Sequence, residues 1–137
     1  MVKYQVLLLT IIPLKIKEIM KILFSLDSSK VLPLQKMFLN IKNMTSISFA
    51  KNYDTKNIKD MSYMFDGCSS LTLINMPFFD ASNVIDMSFL FSECSSLTSI
   101  DISNFITSNV IKMDYLFDYC YKLKSINLSN FNTQNIE

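Results

Sequence analysis

The chain repeats itself with a fixed period of 26 residues. The stretch from Asn57 to Phe79 returns at 83–105 and again at 109–131, without insertion or deletion. Self-similarity at a fixed period of roughly 20–50 residues is the signature of stacked repeats, in which no single unit can bury its apolar side chains alone. The columns that mark the period are Met61, Met87 and Met113, then Phe65, Phe91 and Phe117, and then Cys68, Cys94 and Cys120.

Each repeat contains two periodicities in series. The first is the i, i+3, i+4, i+7 spacing of one helix face, formed by Met61, Met64, Phe65 and Cys68. Asp60 stands where a helix N-cap would lie, and Gly67, the only glycine of the chain, stands where the helix would end. The later copies have Glu93 and Tyr119 at the glycine position, so glycine is helpful there and not required.

The second periodicity is the alternation of a half-buried strand. It has the form Leu71-x-x-Ile74-x-Met76-x-x-Phe79 and recurs in both later copies. The skeleton L-x-x-L-x-L-x-x-(N/C) is typical of leucine-rich repeats, here with phenylalanine in the final slot. The sequence therefore predicts an α/β fold, a leucine-rich-repeat-like solenoid of about four coils. Each coil would contain a short strand and a short helix, and the solenoid would be open at its C-terminal end.

The repeat also resembles a known family. The run Asn-Val-Ile-Asp-Met-Ser-Phe-Leu-Phe-Ser-Glu-Cys-Ser-Ser-Leu-Thr-Ser-Ile-Asp-Ile-Ser-Asn-Phe (83–105) resembles the BspA-like leucine-rich repeat. Its 26-residue form is similar to repeats of mycoplasma-type surface lipoproteins, and the similarity covers Asp54 to Phe131. Members of that family are generally surface-exposed or secreted and act in adhesion or protein binding. The resemblance therefore implies a cell-surface or secreted location and a protein partner, such as a host or matrix protein.

The repeat boundaries divide the chain into two parts. Residues 1–26 are either a capping strand or degenerate coil, or a targeting segment. A basic start and an apolar run fit a targeting segment, whereas the lack of a small-residue cleavage site after them fits a cap or degenerate coil. Residues 27–137 are the predicted solenoid, with a degenerate repeat at 27–53, repeats at 54–79, 80–105 and 106–131, and a partial repeat at 132–137. No polar cap follows Phe131, so we expect an open apolar edge, as in a fragment of a longer array or a chain that self-associates there.

Side chains suited to catalysis are scarce. The chain has no histidine, so an imidazole base or ligand is excluded, and one glycine is too few for a phosphate-cradling loop. The three cysteines stand 26 residues apart, without the close pairs of a zinc site. A net charge of +1 gives no strong field for nucleic acid or an anionic membrane. We expect no enzymatic activity, no cofactor, no metal site and no nucleic-acid partner.

Two columns of the repeat are predicted to be structural. The first consists of Cys68, Cys94 and Cys120, which end the apolar stripe and are expected to be buried, free thiols. The second consists of Asn57, Asn83, Asn109 and Asn135. A polar residue kept in register among apolar neighbours is expected to bond turn backbone in successive coils, with ligand contact as the alternative.

The outward positions of the strands form a candidate binding face. Its residues are Leu73, Asn75, Ser99, Asp101, Ser103, Ser125, Asn127 and Ser129. They vary where the core columns do not, which is expected of a binding surface on a scaffold and equally of a merely solvated face. Two hypotheses follow. The chain is a non-enzymatic protein-interaction module from a surface or secreted adhesin-like array, or it is a structural spacer or truncated remnant with no binding activity of its own.

Overall fold

A computed structural model describes residues 23–24, 33–49, 55–77 and 79–137. Within these ranges the strands are β1 (Leu23–Phe24), β2 (Ser46–Phe49), β3 (Leu73–Asn75), β4 (Ser99–Ile100) and β5 (Ser125–Ile126). Strands β1, β2 and β3 form one parallel sheet in that order, and β4 and β5 form a parallel pair. Ile47 lies opposite Ile74, and Ile100 lies opposite Ile126, so each strand pairs with its equivalent in the next repeat. One repeat is therefore one coil, and the coils stack in parallel.

The apolar columns of the repeat form one continuous core. Phe38 stacks on Phe65 with ring centroids 5.3 Å apart, Phe65 on Phe91 at 5.7 Å, and Phe91 on Phe117 at 5.4 Å. Phe65 and Phe91 are fully buried, whereas Phe117 is only partly buried against the core. The packing is therefore least complete in the last coil, because that coil has a full neighbour on one side.

The prediction of an α/β leucine-rich-repeat-like fold with a short helix in each coil is wrong. The described residues contain no helix. Residues 61–68 instead form overlapping β-turns, in which the amide of Met64 donates to the carbonyl of Met61 (3.3 Å). The amides of Tyr63 and Phe65 donate to carbonyls of the next coil, with N–O distances of 3.0 Å. A helix needs those same amides for its own i−4 carbonyls, so bonding between coils replaces the helix.

The turn segments depend on left-handed residues at two positions in each coil. These residues, with φ between 54° and 72°, are Lys36, Asn40, Tyr63, Gly67, Phe89, Glu93, Tyr115 and Tyr119. Each is the third residue of a four-residue turn, where a type II turn requires positive φ. Such a run of turns returns side chains to one side every three to four residues. The apolar spacing therefore fits both a helix and these turns, and could not distinguish them.

The space beside Gly67 is occupied by a neighbouring side chain. Glu93 and Tyr119 adopt the same left-handed conformation at equivalent positions. A Cβ atom on Gly67, however, would contact the Oδ1 atom of Asn40 in the preceding coil. The glycine therefore makes room for the asparagine side chain.

The two interpretations of residues 1–26 as a cap or a targeting segment lie outside the described residues. Only the backbone of β1 is described there, and it pairs in parallel with Ser48 and Phe49 of β2. The segment predicted as a degenerate repeat, 27–53, is described at 33–49. Its Phe38 and Ile47 occupy the positions that Phe65 and Ile74 occupy in the next coil.

Candidate interaction surfaces

The strand face is the surface formed by the outward side chains of β3, β4 and β5 and of the residues that follow them. Its members are Leu73, Asn75, Ser99, Asp101, Ser103, Ser125, Asn127 and Ser129; Ser103 is half-buried, and the others are exposed. Ser99 lies opposite Ser125 in the β4–β5 pair. The face is therefore made of short, mostly polar side chains in columns that cross the coils.

Local hydrogen bonds hold the strand face in place. Asp101 Oδ1 accepts bonds from the amide and the hydroxyl of Ser103 (3.0 and 2.7 Å), and Asn127 Oδ1 accepts from the amide of Ser129 (3.0 Å). These bonds lower the pKa of Asp101, and the bond from the Ser103 hydroxyl contributes more than the bond from the Ser103 amide. Asp101 is therefore a carboxylate at neutral pH. Leu73 is 57% exposed and is the large apolar side chain of this face.

The asparagine column binds backbone carbonyls of the preceding coil. The Nδ2 atom of Asn83 donates to the Lys56 carbonyl (2.7 Å), and that of Asn109 donates to the Ser82 carbonyl (2.7 Å). Asn135 makes the same bond to the Ser108 carbonyl (2.8 Å). Asn57 stands at the head of the column, and all four asparagines are exposed. Each bond satisfies a turn carbonyl that lies between two coils, which links neighbouring coils.

The cysteine column consists of free thiols that donate hydrogen bonds. Cys68 and Cys94 are buried, and Cys120 is half-buried. The three bonds run from Cys68 to the Phe38 carbonyl (3.1 Å), from Cys94 to the Phe65 carbonyl (3.3 Å) and from Cys120 to the Phe91 carbonyl (3.1 Å). Burial raises the pKa of Cys68 to about 12 and that of Cys120 to about 11, and it raises the pKa of Cys94 as well. All three are therefore protonated donors at neutral pH, unlike a catalytic thiolate.

Within the described ranges, no group of three or more His, Cys, Asp or Glu side chains is placed to hold a metal ion. The same part of the chain has no helix with the length and apolar character of a membrane span.

An aromatic ladder on the turn side was missed by the sequence reasoning. The ring of Tyr63 stacks on Phe89 at 4.6 Å between centroids, and Phe89 stacks on Tyr115 at 4.8 Å. The Nζ atom of Lys36 lies 5.3 Å from the centre of the Tyr63 ring, at the N-terminal end of the ladder. The signal was available, because aromatic residues recur at one position of all three repeats.

Buried threonine hydroxyls also connect successive coils. Thr55 Oγ1 donates to the Asp80 carbonyl (2.9 Å) and accepts from the Asp80 amide (2.7 Å). Thr107 makes the same two bonds to Asn132, at 3.2 and 2.7 Å. Ala81 takes this position in the intervening coil, and that break in the column hid it in the sequence.

These features define a repeat protein of stacked 26-residue coils, with a polar strand face on one side and an aromatic ladder among its turns. The family model described as "Mycoplasma protein of unknown function, DUF285" matches residues 32–137. The chain therefore belongs to this family. No curated protein matches it.

Among solved structures, the chain is similar to the crystal structure of a leucine-rich repeat protein of T. pallidum. The identity is 18%, the match covers 67% of this chain and 49% of the other, and the TM-score is 0.44. The chain therefore spans about half the length of that protein.

Proposed function

We propose that this chain is a non-enzymatic protein-interaction module of a surface or secreted adhesin-like array, and that it binds a protein partner through the strand face. The observation that carries the proposal is the exposed strand face itself, which rests on a continuous buried core. Stacked repeats commonly present their binding side chains on such a scaffold. The partner we propose is a host or matrix protein.

The strand face is suited to binding because its side chains lose little freedom when a partner covers them. Serine has few rotamers to lose, and Asp101 is already fixed by two hydrogen bonds from Ser103. Leu73 supplies exposed apolar area beside these polar groups. Exposed apolar area beside polar groups is a usual composition for an interface that binds through a few residues.

Membership of a Mycoplasma family and the resemblance to BspA-like repeats support the proposed surface location. The protonated state of the three thiols supports a role without catalysis, since no nucleophile is activated by them. A single face of this size and low charge would bind weakly. Adhesion would then depend on several copies that act together.

The proposal is tested by binding of the intact chain, as a monomer and as a streptavidin-linked tetramer, to a panel of purified host serum and matrix proteins. The test variants are Leu73→Ser and Asp101→Lys, and the matched control is Ile106→Ser, which also removes an exposed apolar side chain (53% exposed) away from the strand face. We expect each test variant to weaken tetramer binding by about tenfold or more, which is the range of an interface anchor. The control should bind like the unmodified chain.

Two outcomes would count against the proposal. If the tetramer binds no protein of the panel, the chain is better described as a structural spacer. If the tetramer binds but Leu73→Ser and Ile106→Ser behave alike, a partner exists and the strand face is not its site.

A further inference from the structure

Of the residues that make up the strand face, only Asp101 is charged. The side chains beside it in the same column, Asn75 and Asn127, are neutral amides, and all three are exposed. Lys124, just before β5, lies across from Thr98, because its amide donates to the Thr98 carbonyl (3.4 Å). Lys124 is therefore three residues before the level of Asp101. The Asp101 carboxylate is the group of this face that attracts a cation.

The two carboxylate oxygens of Asp101 differ in what they can still accept. Oδ1 takes bonds from the hydroxyl and the amide of Ser103 (2.7 and 3.0 Å), which use both of its lone pairs. Among the described residues, no hydrogen bond reaches Oδ2. The carboxylate therefore offers an incoming group one free oxygen and not two.

One free oxygen removes the advantage that arginine usually has on a carboxylate. That advantage comes from two parallel N–H···O bonds, one to each oxygen. Because Ser103 occupies Oδ1, this two-point contact is blocked at Asp101. A lysine ammonium is a compact point charge and needs only one oxygen. The site is therefore suited to lysine at least as well as to arginine.

Leu73 lies close enough to Asp101 for one short segment to reach both side chains. Strands β3 and β4 are in contact, and the repeat period places Leu73 beside Ser99, two residues before Asp101. With strands about 4.8 Å apart and a rise of about 3.3 Å per residue, the Cα atoms of Leu73 and Asp101 are roughly 8 Å apart. Side chains on one side of an extended segment recur every second residue, about 6.6 Å apart. Leu73 is 57% exposed and is available to such a segment.

On the basis of the function proposed above, we propose that the strand face recognises an extended segment of its protein partner in which a lysine stands two residues from an apolar side chain. The lysine ammonium binds Oδ2 of Asp101, and the apolar side chain covers Leu73. Ser103 removes the preference for arginine, because its two bonds hold Oδ1. The net charge of the whole chain is +1, so no general attraction for basic peptides accompanies this local one.

The test measures binding of the streptavidin-linked tetramer of the intact chain to immobilised synthetic peptides. The first peptide is Ser-Thr-Ser-Leu-Thr-Lys-Thr-Ser with acetylated and amidated ends, and its companions replace the lysine by arginine or glutamine, or the leucine by serine. A single exposed charge contact changes affinity only about two- to fivefold, and linked contacts multiply that effect. We therefore expect the lysine peptide to bind about tenfold or more tightly than the glutamine peptide and the peptide without leucine.

Two variants of the chain separate the charge of the site from its geometry. Asp101→Asn keeps an acceptor for Ser103 and removes the charge, so it should abolish the preference for lysine over glutamine. Ser103→Ala frees one lone pair of Oδ1, so the arginine peptide should gain about threefold or more relative to the lysine peptide. The matched control is Glu93→Gln, which removes an exposed carboxylate from a turn and should bind all peptides like the unmodified chain.

Equal binding of the lysine and glutamine peptides, or no binding of either, would overturn this inference. A preference for lysine that survives in Asp101→Asn, or an arginine peptide that already binds the unmodified chain more tightly than the lysine peptide, would also overturn it. Failure of the proposed function has a different outcome. If a protein of the host and matrix panel binds through Leu73 while the peptides do not bind, the proposed function stands and the lysine segment is wrong. If the peptides bind as expected and no panel protein does, the lysine segment stands and the host or matrix partner is wrong.

Discussion

Removal of the Phe91 ring should destabilise the chain by about 3–5 kcal/mol, the range for a fully buried Phe→Ala change. Phe91 is 0% exposed and lies between two parallel rings, with centroids 5.7 Å from Phe65 and 5.4 Å from Phe117. The substitution therefore opens a cavity at both neighbouring interfaces. It also removes two stacked pairs, each worth about 0.5–1.5 kcal/mol beyond burial, which places the expected cost in the upper part of the range.

Two further variants make this prediction specific to the stack. Phe117→Ala should cost about half as much as Phe91→Ala, because Phe117 is only partly buried and stacks on one ring. Ser99→Ala should change the free energy of unfolding by no more than about 0.5 kcal/mol, since Ser99 is exposed on the strand face.

Urea unfolding, followed by far-UV circular dichroism and tyrosine fluorescence, measures all three variants. The chain has no tryptophan, so its six tyrosines report the transition. If Ser99→Ala proved as damaging as Phe91→Ala, the assignment of inner and outer positions would be wrong. If Phe117→Ala cost as much as Phe91→Ala, the cost would not depend on the number of neighbouring coils, and the stack would not explain it.

Four other properties can be measured, three by unfolding and one by thiol labelling. Gly67→Ala should destabilise by more than the ~1 kcal/mol expected for its left-handed φ alone, because the added Cβ would contact Asn40 Oδ1. Asn40→Gly should remove the excess in a double-mutant cycle. Asn109→Asp should cost more than Asn109→Ala in urea unfolding. Both variants lose the bond from Asn109 to the Ser82 carbonyl (2.7 Å), but only the aspartate sets a negatively charged oxygen against that carbonyl oxygen. Burial raises the pKa of Cys68 from 9.0 to about 12, so the stability supplied by its protonated thiol is complete below pH 9 and is lost as the pH rises toward 12. The unfolding free energy of the unmodified chain should therefore fall more steeply above pH 9 than that of Cys68→Ala, by about 1.4 kcal/mol per pH unit. Equal slopes would show that the thiol ionises in the folded chain. Thiol labelling at pH 8 should be fastest at Cys120, because Cys120 is only half-buried and the other two cysteines are buried.

The core could be read from the sequence because burial depends on period more than on backbone detail. Phe65, Cys68, Leu71 and Ile74 recur at fixed positions and are 0–4% exposed. Any coil with this period must turn those positions toward its neighbours to remove them from water. The strands were predictable for the same reason, since Ile74 lies buried between exposed Leu73 and Asn75.

The helix prediction was wrong because the spacing of apolar residues does not determine which carbonyl oxygens accept hydrogen bonds from the backbone amides. Met61, Met64, Phe65 and Cys68 face the core in a run of turns as they would in a helix. An isolated stretch of eight residues gains little from helix formation, because nucleation is costly. The carbonyls of an adjacent coil, held about one strand spacing away, offer the alternative that the folded chain uses.

The strand face and the turn segments differ in how far the sequence could define them. The outward positions Ser99, Asp101 and Asn127 follow from alternation alone. The bonds from the amides of Tyr63 and Phe65 to the next coil could not be predicted, because a helix would have used those groups internally.

The sequence by itself determined the period of the chain, the identity of its core columns and the outward positions of its strands. These follow from which side chains avoid water, and that property belongs to the residues. The tertiary structure decided the path of the backbone between the strands. Only when two coils lie side by side does the carbonyl of Ser88 come within 3.0 Å of the amide of Tyr63. A hydrogen bond between residues 25 positions apart can compete with local helix bonds only after the coils have stacked. In the stacked chain these segments therefore form turns with left-handed residues, although their local pattern favours a helix.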